Sequence, residues 1–229
     1  MEKPIILASA SPRRRELFEL LDLPFLVHVV PVDETPRPGE ASDVLVARLS
    51  AIKAAAVAQD LSAPNLGQVR ELAEATEGGL VVAADTVVVL DDEILGKPRD
   101  AAHAKQMLQR LRDRAHIVHS GVTVVEKATG RTAIHLSTTH VWMRDYSETE
   151  IDDYIASDDP LDKAGAYAIQ HAGVRPAARI EGCFTGVMGL PLGMLADGLA
   201  HFGVTMPVDI ATVCRGRTGN PCCREAHVH

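Results

Sequence analysis

Asp85 places a carboxylate in the middle of an apolar segment. The segment runs from Val81 to Leu90 as VVAADTVVVL, which is typical of a strand buried on both faces. An unpaired carboxylate there would be costly, so Asp85 needs a metal ion or a group of cations beside it. Lys97 follows closely in Gly96-Lys97-Pro98 and is one candidate cation. The alternative is that Asp85 caps a neighbouring element or kinks the strand.

A run of three arginines follows the first predicted strand. Pro4 to Ala8 reads PIILA and is predicted to be a strand, and SASPRRR follows it directly at positions 9–15. Ser11 suits the N-cap of a helix and Pro12 its first position. The loop hydroxyls and N–H groups, the positive end of the helix dipole and the arginines together favour phosphate binding. The alternative is a solvated helix face, although arginines in a first turn oppose the dipole.

Two further charged residues lie on the elements that follow. Pro24 to Val32 is predicted to be a strand, and Glu34 stands on the polar, proline-rich turn after it. Lys53 lies on a long amphipathic helix predicted over Ala41 to Asp60. Each has an ordinary interpretation, Glu34 as a solvated acid and Lys53 as a cation covering the helix face.

A third stretch with the character of a site is Pro160 to Gln170, PLDKAGAYAIQ. Asp162, Lys163 and Gln170 bracket small residues there, and small residues allow a ligand to approach the backbone closely.

The remaining elements follow from periodicity and caps. Two segments that alternate apolar and polar residues flank a turn and predict a β-hairpin. Helices are predicted where Asp100 provides an N-cap, where Ser147 to Glu150 forms a capping box, and near the end. The predicted segments are the helices Asp100–Arg112, Ser147–Ser157 and Met194–Phe202, the hairpin strands His116–Glu126 and Thr132–Met143, a loop with a short helix over Leu61–Gly79, and a glycine-punctuated turn over Arg179–Leu192.

Length and composition limit the function classes. With 229 residues, 46% of them hydrophobic and 24% charged, the chain can bury one full core. A net charge of −8 does not attract nucleic acid or an anionic membrane, so a polyanionic ligand needs a local cationic patch. The sequence has no long apolar run and no signal-peptide core, so we expect a cytoplasmic protein that binds neither nucleic acid nor a membrane.

The four cysteines show no recognised framework. Cys183 and Cys214 stand alone in the sequence, and Cys222 and Cys223 are adjacent near the end. This is neither a disulfide pattern nor a CxxC zinc pattern, so we expect free thiols. The adjacent pair and the two histidines at the C-terminus could catch a metal ion adventitiously.

Taken together and in order, the motifs resemble the Maf-like nucleoside triphosphate pyrophosphatases over residues 3–205. The resemblance implies an α/β fold with a mixed central sheet, flanking helices and two lobes around a cleft, similar to the inosine triphosphate pyrophosphatases. It also implies one catalytic domain, residues 1–205, so that residues 206–229 are expected to form a mobile C-terminal tail. The motifs are Ser9-Ala10-Ser11-Pro12-Arg13-Arg14, Ala84-Asp85-Thr86-Val87, Gly96-Lys97-Pro98, Ser120-Gly121-Val122, Asp162-Lys163-Ala164-Gly165-Ala166-Tyr167 with Ile169-Gln170, and Gly189-Leu190-Pro191-Leu192.

The resemblance implies a reaction and a set of residue roles. Family members release pyrophosphate from a nucleoside triphosphate with a divalent metal ion, Mg²⁺ or Mn²⁺, and have been linked to septum formation. Asp85 matches the catalytic proton acceptor, and Glu34 is expected to help it hold the metal. The phosphate-contacting positions match Ser9, Arg13, Arg14, Lys53 and Lys97, and the positions that set base preference in the branch acting on dTTP and UTP match Arg13, Thr86 and Gln170.

Elementary chemistry agrees with that reaction. Cations must neutralise the leaving pyrophosphate, and carboxylates must hold a metal or activate the nucleophile. The sequence shows no nucleophile elbow, which favours direct attack by water over a covalent intermediate.

Some alternatives stay open at this point. The chain departs from many family members at Thr185-Gly186, where an aromatic residue and an asparagine are expected, and this affects fine substrate preference. A 7-methyl-GTP pyrophosphatase, a non-catalytic nucleotide-binding protein linked to septum formation and a nucleic-acid-binding protein are the competing hypotheses. A homodimer is compatible with the resemblance, and the sequence does not fix the oligomeric state.

Overall fold

A seven-stranded mixed sheet forms the centre of the computed structural model, which describes residues 3–63 and 70–225. The strand order is β2-β1-β3-β5-β6-β7, and β4 pairs with β3 beside this path. The first strand runs parallel to its two neighbours, and the other pairs are antiparallel. The strands are β1 Ile5–Leu7, β2 Phe25–Val27, β3 Leu80–Leu90, β4 Glu93–Leu95, β5 Ala115–Glu126, β6 Thr132–Met143 and β7 Ala177–Glu181.

Helices cover both faces of this sheet, so the predicted α/β fold with a mixed sheet is confirmed. Two short 3₁₀ helices, Asp159–Asp162 and Ala164–Ala166, occupy the segment that was predicted to approach a ligand. The α-helices are α1 Pro12–Glu19, α2 Ser42–Asp60, α3 Arg70–Ala75, α4 Ala101–Leu111, α5 Glu148–Ala156, α6 Phe184–Val187, α7 Leu192–His201 and α8 Ile210–Thr218.

The helix starts follow the capping residues that the sequence shows. Ser11 Oγ accepts from the backbone N–H of Arg14 at 3.4 Å, and Asp100 caps α4 by accepting from the N–H of His103 at 2.7 Å. The capping box of α5 is complete, with Ser147 as its N-cap. These local hydrogen bonds satisfy N–H groups that a helix leaves unpaired at its start.

Alternate residues of β3 face two different apolar layers. Leu80, Val82 and Ala84 belong to the main core, which includes residues of α1, α4 and α7, whereas Val81 and Ala83 pack with residues of α2. Because a strand turns successive side chains to opposite faces, β3 is buried on both sides.

Gly121 allows α2 to lie close against the sheet. A Cβ atom at this position of β5 would stand 2.5 Å from the carbonyl oxygen of Val46 on α2. That distance is too short for any side chain, so the glycine in Ser120-Gly121-Val122 sets how near the helix can come. It thereby fixes the distance between α2 and the middle of β3.

The middle of β3 is open on one edge. Register with β1 ends at Val82, whose carbonyl also accepts from the N–H of Ala8 at 2.7 Å, and register with β4 begins at Val88. Within the described residues, positions 83–87 therefore have no strand partner on this edge. A gap of this kind exposes side chains from both faces of the sheet to one cleft.

Besides the two 3₁₀ helices, four elements were not predicted. They are β4, β7, α6 and α8, and both the end of β7 and the whole of α6 lie in the segment that was expected to be a glycine-punctuated turn. β7 pairs with the end of β6, with a register shift at Trp142 and Met143.

The segment predicted as a mobile tail also contains ordered structure. Helix α8 buries Ile210 and Cys214 against the main core, and Cys222 beyond it is buried as well. In place of a free tail, residues 210–222 are therefore packed on the domain. Residues 226–229 lie outside the described residues, and the division into 1–205 and 206–229 stays a prediction.

Across residues 3–63 and 70–225, no helix combines the length and the apolar character that crossing a bilayer requires.

Candidate active site

A cavity of about 730 Å³ opens at the gap in β3. It brings together segments that are far apart in the sequence, including the stretches around Asp85, Arg13 and Gln170 that the sequence singled out. Its walls include residues 8–14, the turn around Glu34, Lys53 on α2, residues 85–88 of β3, residues 94–97, residues 162–164 and 167–170, and residues 187–189.

Lys53 joins the two predicted acidic residues. Its Nζ donates to Asp85 Oδ1 at 2.6 Å and to Glu34 Oε2 at 2.7 Å. The Asp85 side chain is only 9% exposed, whereas that of Glu34 is 58% exposed. Asp85 lies on the same face of β3 as Ala83 and Val87, which pack against α2. Lys53 is the residue of α2 that contacts Asp85.

The costly buried carboxylate therefore has a cationic partner. The sequence suggested Lys97 as one candidate cation, but the residue that contacts Asp85 is Lys53. Lys97 is exposed at the cavity wall, and its ammonium forms no hydrogen bond with any other described residue. The ammonium of Lys97 is thus available to an anionic ligand.

Arg14 is held at the cleft by a backbone carbonyl. Its Nε donates to Gly189 O at 2.8 Å, and within residues 3–63 and 70–225 its two Nη atoms have no hydrogen-bond partner. Burial lowers the pKa of the guanidinium, and the nearby Asp85 opposes this shift. Gly189 has a φ of 116°, a left-handed conformation that favours glycine at this contact.

Arg13 lies beside the segment Asp162 to Gln170. Its Nη1 is 3.5 Å from Asp162 Oδ2, a long contact with an exposed carboxylate. Lys163 is buried, and its Nζ lies 2.6 Å from Asp162 Oδ1 and 3.0 Å from Asp159 Oδ1. Lys163 is thus neutralised within the protein, while Arg13 keeps donors for a ligand.

Ser9 supplies a hydroxyl at the start of the cleft. Its side chain is buried, and Ser9 Oγ accepts from the N–H of Ser11 at 3.3 Å. The hydroxyl proton is not used in that contact, so it can be donated to a phosphate oxygen.

Thr86 ends a short chain of hydroxyl groups. Ser120 Oγ donates to Gly186 O at 2.7 Å, and Thr86 Oγ1 lies 2.8 Å from Ser120 Oγ. Because Ser120 spends its one proton on the carbonyl, Thr86 must donate to Ser120. Thr86 therefore offers the cleft only acceptor lone pairs.

The role of Ser120 was not predicted, although the residue stands in a motif that the sequence shows. Ser120 lies directly opposite Thr86 in the register of β3 and β5. Once the two strands are paired antiparallel, that register is the signal that could have revealed the contact.

Gln170 lines the cleft close to Tyr167, which anchors its segment. The Gln170 amide has no hydrogen bond with the rest of the described chain, and the residue is half-buried. Tyr167 OH lies 2.7 Å from His116 Nε2, in an edge-on ring contact. Burial raises the pKa of Tyr167 and lowers the pKa of His116 to about 4, so both groups are neutral near pH 7.

The acidic residues of the cleft form a small set of possible metal ligands. The described residues contain no group of three or more His, Cys, Asp or Glu that could hold a metal by themselves. Two carboxylates do converge, however, on a single Lys53 ammonium in the cleft. Mg²⁺ is commonly held by one or two carboxylates together with substrate phosphates, so the Asp85 and Glu34 donor set fits a metal that arrives with a triphosphate.

Comparisons with known proteins match one family over most of the chain. The family model described as "Maf-like protein" matches residues 4–202. The "dTTP/UTP pyrophosphatase" of Nitratidesulfovibrio vulgaris is 47% identical over 202 residues, which cover 87% of this chain and 88% of that protein. The proteins of the same name from Pelotomaculum thermopropionicum and Salinibacter ruber are 42% and 45% identical, over 88% and 84% of this chain and 97% and 87% of their own lengths.

Among solved structures, the Ham1 protein of Staphylococcus aureus overlaps 64% of this chain and 76% of its own, with a TM-score of 0.41 and 16% identity. An overlap this distant bears on neither activity nor substrate.

Proposed function

The chain belongs to the Maf family, and from this premise we propose that it is a nucleoside triphosphate pyrophosphatase that hydrolyses dTTP and UTP. The products are the nucleoside monophosphate and pyrophosphate. Support comes from the relatives named dTTP/UTP pyrophosphatase, at 42–47% identity over most of this chain. The single observation that carries the proposal is the contact of Asp85 and Glu34 with Lys53 inside a cleft lined by arginines.

The cations of the cleft suit a triphosphate. Such a ligand carries about four negative charges near neutral pH, and charge builds on the leaving pyrophosphate as the α–β link breaks. Arg13, Arg14 and Lys97 reach the same cavity with donors left for a ligand, and Ser9 adds a hydroxyl. We assign these four residues to the phosphates together with Lys53, which lines the same cavity.

Asp85 is the residue that would accept the proton of the attacking water. It is held by Lys53 in a site that is largely closed to solvent, which restricts its orientation. A positioned general base of this kind contributes about 10²–10⁴-fold to a rate. The proton moves from water to the Asp85 carboxylate while the water oxygen bonds to phosphorus and pyrophosphate departs.

Glu34 and Asp85 would hold the divalent metal ion, Mg²⁺ or Mn²⁺. When bound, the metal would neutralise phosphate charge and help to orient the triphosphate. Glu34 is exposed and contacts Lys53 at the surface, so it can exchange that contact for a metal at little cost.

Base preference is assigned to Thr86, Gln170 and Arg13. Uracil and thymine present an N3–H donor between two carbonyl acceptors, whereas cytosine presents an acceptor at N3. Thr86 offers only acceptor lone pairs, and the Gln170 amide offers one acceptor and a pair of donors. This set complements uracil and thymine and leaves a polar group unpaired with cytosine.

The test is pyrophosphate release from dTTP, UTP, CTP, GTP and 7-methyl-GTP, with Mg²⁺ and again with a chelator. We expect dTTP and UTP to be hydrolysed fastest and the chelator to abolish the activity. A preference for 7-methyl-GTP would assign the chain to the other branch. Tight nucleotide binding without pyrophosphate release would instead favour a non-catalytic nucleotide-binding protein.

A further inference from the structure

All four cysteines of the chain meet in one place. Cys183 lies directly before α6, Cys214 lies on α8, and Cys222 and Cys223 follow that helix. Cys183 and Cys223 line the same small cavity, and Cys214 and Cys222 are buried in the main core, against which Cys223 also packs. The thiols are free, as the sequence predicted, but none of them is isolated.

The Cys183–Cys223 pair stands at a second cavity, away from the cleft. This cavity has a volume of about 350 Å³ and is also lined by Ser137, Met194 and Arg224. Cys183 is buried and Cys223 is partly exposed. A small oxidant can therefore reach the pair from solvent.

Several donors converge on the sulfur of Cys183. The N–H of Gly186 donates to Sγ at 3.3 Å. Thr185 Oγ1 lies 3.3 Å from the same sulfur and accepts from the N–H of Leu192, so its own proton is directed at Cys183. The Cys223 thiol, followed by these groups, lowers the pKa of Cys183 to about 6 against the effect of burial.

The two pairs differ in reactivity. Cys183 and burial raise the pKa of Cys223, whereas the pKa of Cys183 is lowered, so Cys183 is the member of the pair that gives up its proton first. Burial raises the pKa of Cys214 to about 12, and both Cys214 and Cys222 lie in the core. Thiolates are the nucleophiles in thiol chemistry, so Cys183 is the cysteine that is prepared to react.

We propose that Cys183 and Cys223 form a redox-active pair that closes to an intramolecular disulfide when the protein meets a peroxide. The Cys183 thiolate attacks a peroxide oxygen, an S–O bond forms, the O–O bond breaks, and the departing hydroxide takes a proton to become water. Cys223 sulfur then attacks the sulfenic sulfur of Cys183 and expels a second hydroxide, which takes the Cys223 proton. Two thiols thereby lose two electrons and two protons, and hydrogen peroxide is reduced to two waters.

Formation of the disulfide would affect the cleft because the backbone carbonyls of Gly186 and Gly189 accept hydrogen bonds from two residues of the cleft wall. The negative sulfur that accepts from the Gly186 N–H is lost, while Gly186 O holds Ser120 and Gly189 O holds Arg14. Oxidation should therefore disturb Thr86 and Arg14 and reduce turnover. This consequence rests on the proposed function, whereas the disulfide itself does not.

The test uses the full chain, reduced, freed of reductant and exposed to a small excess of hydrogen peroxide. After alkylation under denaturing conditions and digestion, we expect one cross-linked peptide pair joining Cys183 to Cys223, lost on treatment with dithiothreitol. Cys214→Ser is the matched control and should still form this link. Cys223→Ser should abolish it and leave a Cys183 sulfenic acid that dimedone captures, which keeps the test valid if Cys183→Ser fails to fold.

Two further measurements complete the design. Alkylation of Cys183 in the native protein should slow about tenfold between pH 7 and pH 5, because a thiol with a pKa of about 6 loses its thiolate over that range. Pyrophosphate release from dTTP should fall roughly fivefold or more on oxidation and recover with dithiothreitol, and Cys214→Ser should show the same fall and recovery.

Three results would overturn the proposal. The first is a disulfide between Cys214 and Cys222 or between two chains, and the second is a Cys183 that peroxide leaves fully alkylatable. The third is stoichiometric binding of added zinc chloride that protects all four thiols, which would make the cluster a metal site. Formation of the predicted disulfide without any change in an otherwise active enzyme would refute the link to the cleft alone.

Discussion

Lys53 holds one carboxylate firmly and another loosely. Its contact with Asp85 is largely shielded from solvent, whereas its contact with Glu34 lies at the surface. Exposed ion pairs are worth at most about 1 kcal/mol, so the surface contact can be exchanged while the buried one persists. At the scale of single residues, the site therefore has one fixed carboxylate and one adaptable carboxylate.

Changing the fixed carboxylate should separate binding from turnover. In Asp85→Asn the amide is nearly isosteric and still accepts from Lys53, but it neither takes up a proton efficiently nor holds a metal well. We expect nucleotide binding and fold to persist and kcat with dTTP and Mg²⁺ to fall by about 10²–10⁴-fold. Steady-state kinetics, circular dichroism and equilibrium binding of dTTP measure the three properties.

Asp92→Asn is the matched control for that change. Asp92 is exposed just beyond the end of β3 and has a positive φ of 63°, a conformation that asparagine also tolerates. Its kcat should stay close to that of the wild type. A folded Asp85→Asn protein with a near-wild-type rate would remove Asp85 from the proposed role.

Arg13 and Lys97 should stabilise the transition state of the proposed reaction. Arg13→Ala and Lys97→Ala should each lower kcat/KM by an amount equivalent to about 2–4 kcal/mol, because in the proposed function each removes a donor to the charge that develops on the phosphates. Added salt should not restore the lost rate. Lys105→Ala, which removes a cation paired with Asp152 on the surface, is the control and should behave as the wild type. A change below about tenfold in both variants would argue against the phosphate assignment.

At the scale of elements, the sequence predicted the strand that carries Asp85 but not the opening beside it. The apolar run and the alternation of β5 and β6 identify those three strands directly. The opening exists because β1 pairs with β3 for three residues only and β4 joins it again at Val88. Strand partners are set by tertiary packing, and no local pattern in β3 itself records where a neighbour stops.

The unpredicted elements have weak local signals. β7 is an edge strand whose side chains are mostly half-buried or exposed, so it lacks a clear apolar alternation. α8 buries only Ile210 and Cys214 and contains Gly216, so its apolar spacing is short. In both cases packing against the domain, rather than local propensity, determines the structure. The cysteine cluster was missed for the same reason, since α8 is what brings Cys214, Cys222 and Cys223 to Cys183.

The segment from Asp162 to Gln170 should set base preference as a unit. It is held by Tyr167 OH on His116 and by the N–H of Ala168, which donates to Tyr154 OH at 2.8 Å. Gln170 thus projects from a fixed backbone, and Gln170→Ala should reduce the preference for dTTP over CTP by about 1–3 kcal/mol, or roughly tenfold to a hundredfold. The measurement is kcat/KM for dTTP, UTP, CTP and GTP in both proteins.

Gln109→Ala is a suitable control for that substitution, because Gln109 lies on α4 and donates to Glu148 at the surface. It should leave the ranking of nucleotides unchanged. If the ranking is also unchanged in Gln170→Ala, the base is recognised elsewhere in the cleft.

At the scale of the whole molecule, the charge is divided unevenly. A chain of net charge −8 gathers Arg13, Arg14, Lys53 and Lys97 around one cavity. The negative remainder repels polyanions from the rest of the surface, while the cleft offers them a local attraction. This distribution suits a small, highly charged ligand better than a long nucleic acid, which needs an extended basic surface.

The free energy of unfolding should decrease as the pH is lowered, because His116 is buried as a neutral imidazole. Burial lowers the pKa of His116 to about 4, below the value near 6.5 expected in the unfolded chain. The unfolded chain therefore binds the proton first. The stabilisation is fully present above about pH 6.5 and is lost as the pH falls toward 4, amounting to about 2 kcal/mol by pH 5.

Urea unfolding at pH 7 and pH 5 measures this loss. His116→Gln keeps a neutral polar group beside Tyr167 but cannot be protonated, so its unfolding free energy should fall less between the two pH values than that of the wild type, by about 2 kcal/mol. His140→Gln, which changes an exposed imidazole on β6, should retain the wild-type difference. Equal losses in wild type and His116→Gln would mean that His116 accepts its proton within the folded protein, and the acid sensitivity would then belong to other groups.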